Sequence, residues 1–161
     1  MDKGFTLIEV LISMAILSII FAASYAVLLT GQNTWFVGLD MSELQSQLRL
    51  GSSYIIREFR EATVFSITSV DADDDILVFT TPNETAISYY RDINDSNNDG
   101  LTNQIIREYP SGTRRVVANN ISSLSFSSSG ELLRVNITAL KTSRGRTLQL
   151  SLVEKARGRN E

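Results

Sequence analysis

The chain contains no cysteine and no histidine among its 161 residues. Without cysteine it forms no disulfide, and it has neither a thiol nucleophile nor a thiolate site for a metal. Without histidine it lacks the commonest general base and the commonest ligand of zinc, copper and iron, so Ser-His-Asp and Cys-His catalysis are excluded. The missing cysteines do not identify a compartment, because domains outside the cytoplasm can do without disulfides.

A surplus of basic residues is also missing. Lys plus Arg number 15 against 18 Asp plus Glu, which gives a formal net charge of −3. A protein that binds nucleic acid through its phosphates typically carries a basic surplus, so no direct nucleic-acid partner is predicted. The adjacent Arg114 and Arg115 still allow a local basic patch.

One long apolar segment follows a short polar leader, Met1–Gly4. Between Phe5 and Leu39, Glu9 is the one charged side chain. The run Phe5–Leu29 is long enough to cross a hydrocarbon core of about 30 Å as a helix. A lone carboxylate deep in lipid costs roughly 3 kcal/mol. We therefore expect Glu9 to have a specific partner.

The segment differs from an ordinary secretory signal. Such a signal begins with several positive charges and has a small-residue cleavage site after its apolar core. Here the small residue, Gly4, precedes the apolar run, and no obvious site follows it. We expect the apolar segment to remain in the mature protein.

The order Gly4-Phe5-Thr6-Leu7-Ile8-Glu9-Val10-Leu11 resembles the prepilin cleavage and N-methylation motif of type IV pilins and type II secretion pseudopilins. The resemblance implies that a membrane peptidase cuts between Gly4 and Phe5 and methylates the new terminus, Phe5. It also implies that Glu9 attracts the N-terminal amine of a neighbouring subunit during filament assembly. The alternative is an uncleaved signal anchor.

The apolar pattern then continues as the stripe of an amphipathic helix. The stripe consists of Val37, Met41, Leu44, Leu48, Ile55, Phe59 and Ala62. Gly51 falls on it and allows a close contact with whatever packs there. The predicted helix has a transmembrane part, 5–30, and an amphipathic part, 31–62. Poor helix formers between Gly31 and Gly38 leave two interpretations open, a continuous helix and a local break.

After residue 62 the pattern changes to short alternating segments rich in Val, Ile, Thr, Tyr and Phe. The predicted strands are Thr63–Ser69, Asp75–Thr80, Thr85–Arg91, Gln104–Tyr109, Ile121–Ser127, Leu132–Lys141 and Thr147–Glu154. Residues 116–120 fit a strand or a helical turn, and residues 142–145 fit the turn of an antiparallel hairpin. The predicted fold class is α+β, with one long N-terminal helix packed on an antiparallel β-sheet region, 63–155, and a frayed polar tail, 156–161.

The β-sheet region carries a second, looser resemblance. Its segments Ile87–Arg91 and Ala118–Phe126 are similar to minor subunits of the PilW or J-type pseudopilin kind. The resemblance implies the same helix-plus-sheet architecture and a minor role in the filament.

An acidic loop, Asp92–Asn103, lies between two predicted strands. It contains the opening D-x-N-x-D-G of a calcium loop, in which alternate oxygens surround the cation and a glycine makes the turn. The candidate calcium ligands are Asp95, Asn97, Asp99, Leu101 and Asn103. The twelfth position is Ile106 in place of a bidentate Glu, so a complete EF-hand is not predicted. The alternative is a solvated hairpin loop.

The resemblance implies a structural role. The leading hypothesis is a minor pilin or pseudopilin with one span in the bacterial inner membrane and its globular part outside the cytoplasm. Clipping at Gly4 then allows it to initiate or cap a type IV pilus or type II secretion pseudopilus. The implied partners are other major and minor pilins or pseudopilins, prepilin peptidase and the inner-membrane assembly platform.

Two other classes of function are alternatives to this one. A filament-tip adhesin or ligand-binding module would use the acidic loop and calcium. A membrane-tethered glycoside hydrolase would need a carboxylate pair such as Asp73 and Glu84. Nothing in the sequence places that pair in a cleft, so no enzyme is predicted.

Overall fold

The computed structural model describes residues 6–71 and 74–158. An α-helix, α1 (Leu7–Phe59), precedes the β-strands, which confirms the predicted α+β class. The strands are β1 (Val64–Ser69), β2 (Asp75–Thr80), β3 (Ile87–Asp92), β4 (Gln104–Glu108), β5 (Arg114–Ala118), β6 (Ile121–Ser129), β7 (Leu132–Ser143) and β8 (Arg146–Arg157). The predicted leader, with Gly4 and Phe5, lies outside the described residues.

The chain divides into two compact units, Met1–Leu39 and Asp40–Glu161, and the second is called the head unit below. The backbone is helical through the whole of 31–38, as the continuous-helix interpretation predicts. The helix ends at Phe59, and one tighter turn follows, in which the N–H of Ala62 donates to the carbonyl of Phe59 at 2.9 Å. The helix therefore ends three residues before the predicted end at residue 62, because its last residues form this turn instead.

The strands form two antiparallel sheets where the pattern predicted one. The first has the order β1-β2-β3-β4-β5, and the second has the order β6-β7-β8. Carboxylates from the start of β2 cap the edge of β6, because the N–H of Leu124 donates to Asp74 at 3.3 Å and that of Phe126 to Asp75 at 2.7 Å. Side chains thus satisfy backbone donors on the edge of β6, where a single parallel bridge, Asp74↔Leu124, links it to the residue before β2.

The hairpin prediction for the last two strands is confirmed. β7 and β8 pair antiparallel from Leu132↔Arg157 to Ser143↔Arg146. The turn residues Arg144 and Gly145 both have positive φ, at 52° and 73°, as a type I′ hairpin requires.

The predicted frayed tail from Ala156 is wrong at its start, because β8 extends to Arg157. Ala156 is buried at 4% exposure, and the N–H of Gly158 donates to the carbonyl of Glu131 at 3.2 Å. The small apolar side chain of Ala156 faces the core, which keeps the strand in the sheet. Residues 159–161 lie outside the described part of the chain.

The core of the head unit lies between α1 and the two sheets. The buried residues of the helix are Leu44, Leu48, Gly51, Ser52, Ile55, Ile56 and Phe59. A Cβ added to Gly51 would lie 2.8 Å from Ile105 Cδ1 and 3.3 Å from Ala118 Cβ, which is closer than packed carbons sit. The predicted close contact at Gly51 is therefore confirmed.

Ser52 gives a stability prediction. Its side chain is 1% exposed, and its hydroxyl has no hydrogen-bond partner in the described structure. A buried hydroxyl without a partner costs about 1–3 kcal/mol. We expect Ser52→Ala to raise the free energy of unfolding by about 1 kcal/mol, measured by denaturant unfolding of the full chain in detergent micelles.

The neighbouring Ser53 provides the matched control. It is exposed, and its hydroxyl donates to the carbonyl of Leu50 at 3.1 Å. Ser53→Ala therefore changes little beyond helix propensity, about 0.5 kcal/mol. Equal stabilities for the two variants would contradict the unsatisfied hydroxyl at Ser52.

Candidate functional site

The start of α1 is a reciprocal capping box formed by Thr6 and Glu9. The N–H and the hydroxyl of Thr6 each donate to Glu9 Oε2 at 2.9 Å. In return, the N–H of Glu9 donates to Thr6 Oγ1 at 3.4 Å. This is the Thr-x-x-Glu pattern of a helix N-terminus, which is visible in the sequence itself. Glu9 therefore stabilises its own helix as well as being the predicted assembly residue.

The rest of α1 in the first unit is an exposed apolar surface. In the described part of the chain, α1 is the one helix long and apolar enough to cross a membrane, with a mean hydropathy of 2.3 over its most apolar window. Its exposed apolar side chains include Leu7, Ile8, Leu11, Ile12, Met14, Ile16, Leu17, Ile19, Ile20 and Phe21. Such a surface is stable in lipid or in a bundle of similar helices and not in water.

Hydroxyl side chains on this helix bond to its own backbone. The hydroxyls of Ser13, Ser18 and Thr30 donate to backbone carbonyls three or four residues earlier, at 2.7 to 2.9 Å. A polar group satisfied within the helix needs no water, so these residues are compatible with an apolar surrounding.

Glu9 is the exception in this surface, because a carboxylate keeps its charge after it is hydrogen-bonded. Both Thr6 hydrogen bonds end on the same oxygen, Oε2. The sequence from Thr6 to Leu39 contains no lysine or arginine. A cation for Glu9 must therefore come from outside this stretch of the helix.

The head unit contains a charged network that the sequence pattern did not predict. Arg107 Nε donates to both oxygens of Glu58, at 3.0 and 2.9 Å, and its Nη2 donates to Glu84 at 2.6 Å. The hydroxyl of Tyr89 donates to Glu58 at 2.8 Å. The network joins α1 to β3, β4 and the loop between β2 and β3.

Burial and the charge of Glu58 both shift pKa values within this network. Burial, together with the charge of Glu58, raises the pKa of Tyr89 well above its ordinary value, so its phenol stays a neutral donor. Burial by itself lowers the pKa of Arg107, but the hydrogen bonds that Arg107 donates to Glu58 and Glu84, together with the charge of Glu58, leave that pKa raised. Glu84, one of the two carboxylates of the glycoside hydrolase alternative, forms an ion pair with Arg107. The other half, Asp73, lies outside the described residues.

Arg107→Met is expected to destabilise the head unit by about 2–3 kcal/mol. The variant leaves the part-buried Glu58 without its cation, and a hydrogen bond to a charged group contributes about 1.5–3 kcal/mol. Thermal and denaturant unfolding of the full chain measure the loss. Arg134→Met is the control, because Arg134 is exposed and makes no ion pair within the described residues.

The acidic loop is held by its own side chains. Both oxygens of Asp95 accept backbone N–H groups, from Asp99 at 3.1 Å and from Gly100 at 2.8 Å. Asp99 accepts from the amide of Asn97 at 2.9 Å and from the N–H of Leu101 at 2.8 Å. These hydrogen bonds, with Asn97 first, hold the pKa of Asp99 below its ordinary value of 3.8.

The remaining predicted ligand oxygens also accept hydrogen bonds. The side-chain amide of Gln104 donates to Asn97 Oδ1 at 2.8 Å and to the carbonyl of Leu101 at 3.1 Å. Arg91 Nη1 donates to Asn103 Oδ1 at 3.0 Å. Across residues 6–71 and 74–158, no three acidic side chains form a group that could hold a metal ion. The loop conformation is thus explained by internal hydrogen bonds, and calcium binding stays a prediction.

A calcium titration tests that prediction. If the loop binds calcium, millimolar calcium raises the melting temperature of the full chain, and the rise disappears in Asp95→Ala and Asp99→Ala. Magnesium at the same concentration is the control, because it demands a tighter octahedral shell. An unchanged melting temperature in calcium would reject the site.

Comparison with known proteins points to the N-terminal segment. A family model described as the prokaryotic N-terminal methylation motif matches residues 1–25, which include Gly4, Phe5 and Glu9. The match supports a type IV pilin-like protein that is a substrate of prepilin peptidase, and such proteins are structural. The motif and the apolar helix fit an inner-membrane anchor with the head unit outside the cytoplasm. No curated protein and no solved structure matches the chain significantly.

Proposed function

We propose that this protein is a minor pilin or pseudopilin, a structural subunit that helps to initiate or cap a type IV pilus or a type II secretion pseudopilus. The observation that carries the proposal is the methylation motif at residues 1–25, placed on a membrane-length apolar helix with one carboxylate near its start. Other pilins or pseudopilins, prepilin peptidase and the assembly platform of the inner membrane are its proposed partners.

Processing creates the partner for Glu9 in this proposal. Cleavage after Gly4 exposes a new amine at Phe5. An amine and a carboxylate that meet among apolar helices relieve each other's desolvation penalty, and slippage along the helices leaves both unpaired. The pair therefore selects one axial register between otherwise uniform apolar surfaces. The leader prevents this pairing before cleavage, because Phe5 has no free amine while residues 1–4 are attached.

Mass spectrometry of the N-terminus tests the proposal. Protein isolated from native cells should lack Met1–Gly4 and carry one added methyl group on Phe5. The same protein from cells without the peptidase should keep Met1 and serves as the control. An intact Met1 in normal cells would overturn the proposal and favour a signal anchor. Gene neighbourhood distinguishes the two filament types, because secretion genes and pilus genes cluster differently.

A further inference from the structure

The charges of α1 are segregated within the head unit. Its carboxylates, Asp40, Glu43 and Glu58, are part-buried and paired. Lys141 Nζ lies 2.8 Å from Asp40 and 2.6 Å from Glu43, and Arg107 holds Glu58 at 2.9 Å. Every acid of this part of the helix is therefore directed to the rest of the head unit and is neutralised there.

The outer side of the same helix carries arginine and small polar residues. We call it the arginine face, and it consists of exposed residues, five on the helix and Arg60 in the turn that follows, where its N–H still donates to the carbonyl of Ile56 at 3.2 Å: Ser42, Ser46, Arg49, Ser53, Arg57 and Arg60. The positions recur at steps of three and four, so they lie on one side of the helix. Arg49 and Arg60 are separated by roughly 16 Å along the axis.

The arginines of this face are Arg49, Arg57 and Arg60. None forms an ion pair with a residue that the structure describes, although Glu61 follows Arg60 directly in the sequence. Elsewhere in the head unit, Arg91 pairs with Asp74, and Arg114 lies 3.5 Å from Glu108. Arg115, Arg134 and Arg146 also make no ion pair within the described residues, but they lie on three different strands, whereas Arg49, Arg57 and Arg60 share one side of one element.

A second observation comes from Tyr54, at the border of the arginine face. The guanidinium of Arg57 lies 5.3 Å from the centre of the Tyr54 ring, and that of Arg115 on β5 lies 5.5 Å from it. Arg115 also donates to the Tyr54 hydroxyl at 3.4 Å. Two like charges share one ring, and no acid among residues 6–71 and 74–158 forms an ion pair with either of them. Cation–π contact stabilises each guanidinium but leaves their mutual repulsion, which a carboxylate would relieve.

We propose that the arginine face docks against a helix of a different filament subunit whose facing side carries carboxylates. This inference rests on the proposed function. Serines between the arginines allow a second helix to approach closely, while the arginines select its charge. The exposed Leu50, at 43% exposure, supplies an apolar contact beside them.

The chemistry favours a different subunit over a second copy of this chain. Two copies joined through the same face would place arginine against arginine, which costs free energy at close range. The acidic loop of a second copy is a weaker partner, because both oxygens of Asp95 already accept N–H groups within the loop. Because two arginine faces repel each other, this face is consistent with a subunit that is present in few copies and contacts subunits of other kinds.

Charge reversal tests the docking surface. Full-length Arg49→Glu/Arg60→Glu should be processed and folded normally but recovered in the filament fraction about tenfold less than the wild type, since like charges oppose docking. The control is Arg134→Glu/Arg146→Glu, which changes the net charge equally at exposed positions of β7 and β8. Equal recovery of the two double variants would overturn the inference. Wild-type protein that is itself absent from filaments would instead count against the proposed function.

A cross-link identifies the occupant. Arg57→Lys keeps the positive charge and introduces an amine, which a carbodiimide joins as an amide to any carboxylate that it touches. The chain has lysine otherwise only at Lys3, Lys141 and Lys155, so the new adduct is simple to locate by mass spectrometry. We expect a cross-link from residue 57 to an Asp or Glu of another subunit, and none in Arg57→Gln. A cross-link to a second copy of this chain, or no cross-link in intact filaments, would overturn the inference.

Discussion

Glu9→Gln is expected to insert in the membrane and be processed at Gly4 but to be excluded from filaments. The substitution removes the charge that pairs with the amine of a neighbouring subunit's Phe5. An unpaired charge in an apolar surrounding costs about 2.5–3.5 kcal/mol, which corresponds to on the order of a hundredfold less incorporation. Quantifying the protein in sheared filaments against the membrane pool measures the effect.

The capping box makes the choice of variant decisive. Glu9 accepts both donors of Thr6 at 2.9 Å, so Glu9→Ala removes a helix cap as well as a charge. Gln at the same position keeps an acceptor for the cap, since the capping box tolerates Glu or Gln there. Thr6→Ala removes the cap and keeps the charge. A cap is typically worth about 1 kcal/mol, which is less than the ion pair.

These variants separate the two roles of Glu9. If pairing with the neighbouring amine controls assembly, Glu9→Gln and Glu9→Ala are equally excluded, and Thr6→Ala assembles nearly as well as the wild type. If capping controls assembly, Glu9→Gln assembles normally and Thr6→Ala fails. Normal incorporation of Glu9→Gln would therefore contradict the proposed intersubunit pair.

Phe59→Ala is expected to lower the free energy of unfolding of the head unit by about 3–5 kcal/mol. Phe59 is fully buried at the last position of α1 and makes edge-to-face contacts with Phe65 and Phe79, at 5.0 and 5.8 Å between ring centres. Phe79 in turn stacks on Tyr89 at 6.0 Å. The substitution opens a cavity where the helix, β1 and β2 meet. A typical domain has only about 5–15 kcal/mol of stability, so the loss is a large fraction of the total.

Thermal unfolding of the full chain in detergent, followed by near-UV circular dichroism, measures this loss. A destabilisation of that size lowers the melting temperature by roughly 10 °C or more. Phe59→Leu is the graded control, because it keeps most of the apolar volume and loses the aromatic contacts. If Phe59→Ala melts within a degree or two of the wild type, the aromatic cluster does not hold the end of the helix to the sheets.

Local patterns predicted most of the elements of this fold. The stripe through Leu44, Leu48, Ile55 and Phe59 predicted the buried side of α1, and Gly51 predicted a close contact that the structure confirms. Alternation and turn residues predicted the strands and the β7–β8 hairpin. These features depend on residues a few positions apart, which is the range over which helical and strand periodicity operates.

Features formed by residues far apart in the sequence could not be predicted from local periodicity. Asp74 and Asp75 accept hydrogen bonds from the edge of β6, about fifty residues later in the chain. The network of Glu58 with Arg107 spans a separation of 49 residues. No periodicity encodes such pairs, because the chain path decides which charges meet.

The N-terminal motif, the membrane-length helix with Glu9 near its start and the α+β class could all be predicted, because each depends on adjacent or regularly spaced residues. Which charges are neutralised follows from the packed fold. The fold places Asp40, Glu43 and Glu58 against cations of the head unit, whereas Arg49, Arg57 and Arg60 form no ion pair with the residues that the structure describes. Helical spacing identifies which residues share a face. The packing of the sheets determines which face is buried and which residues contact it.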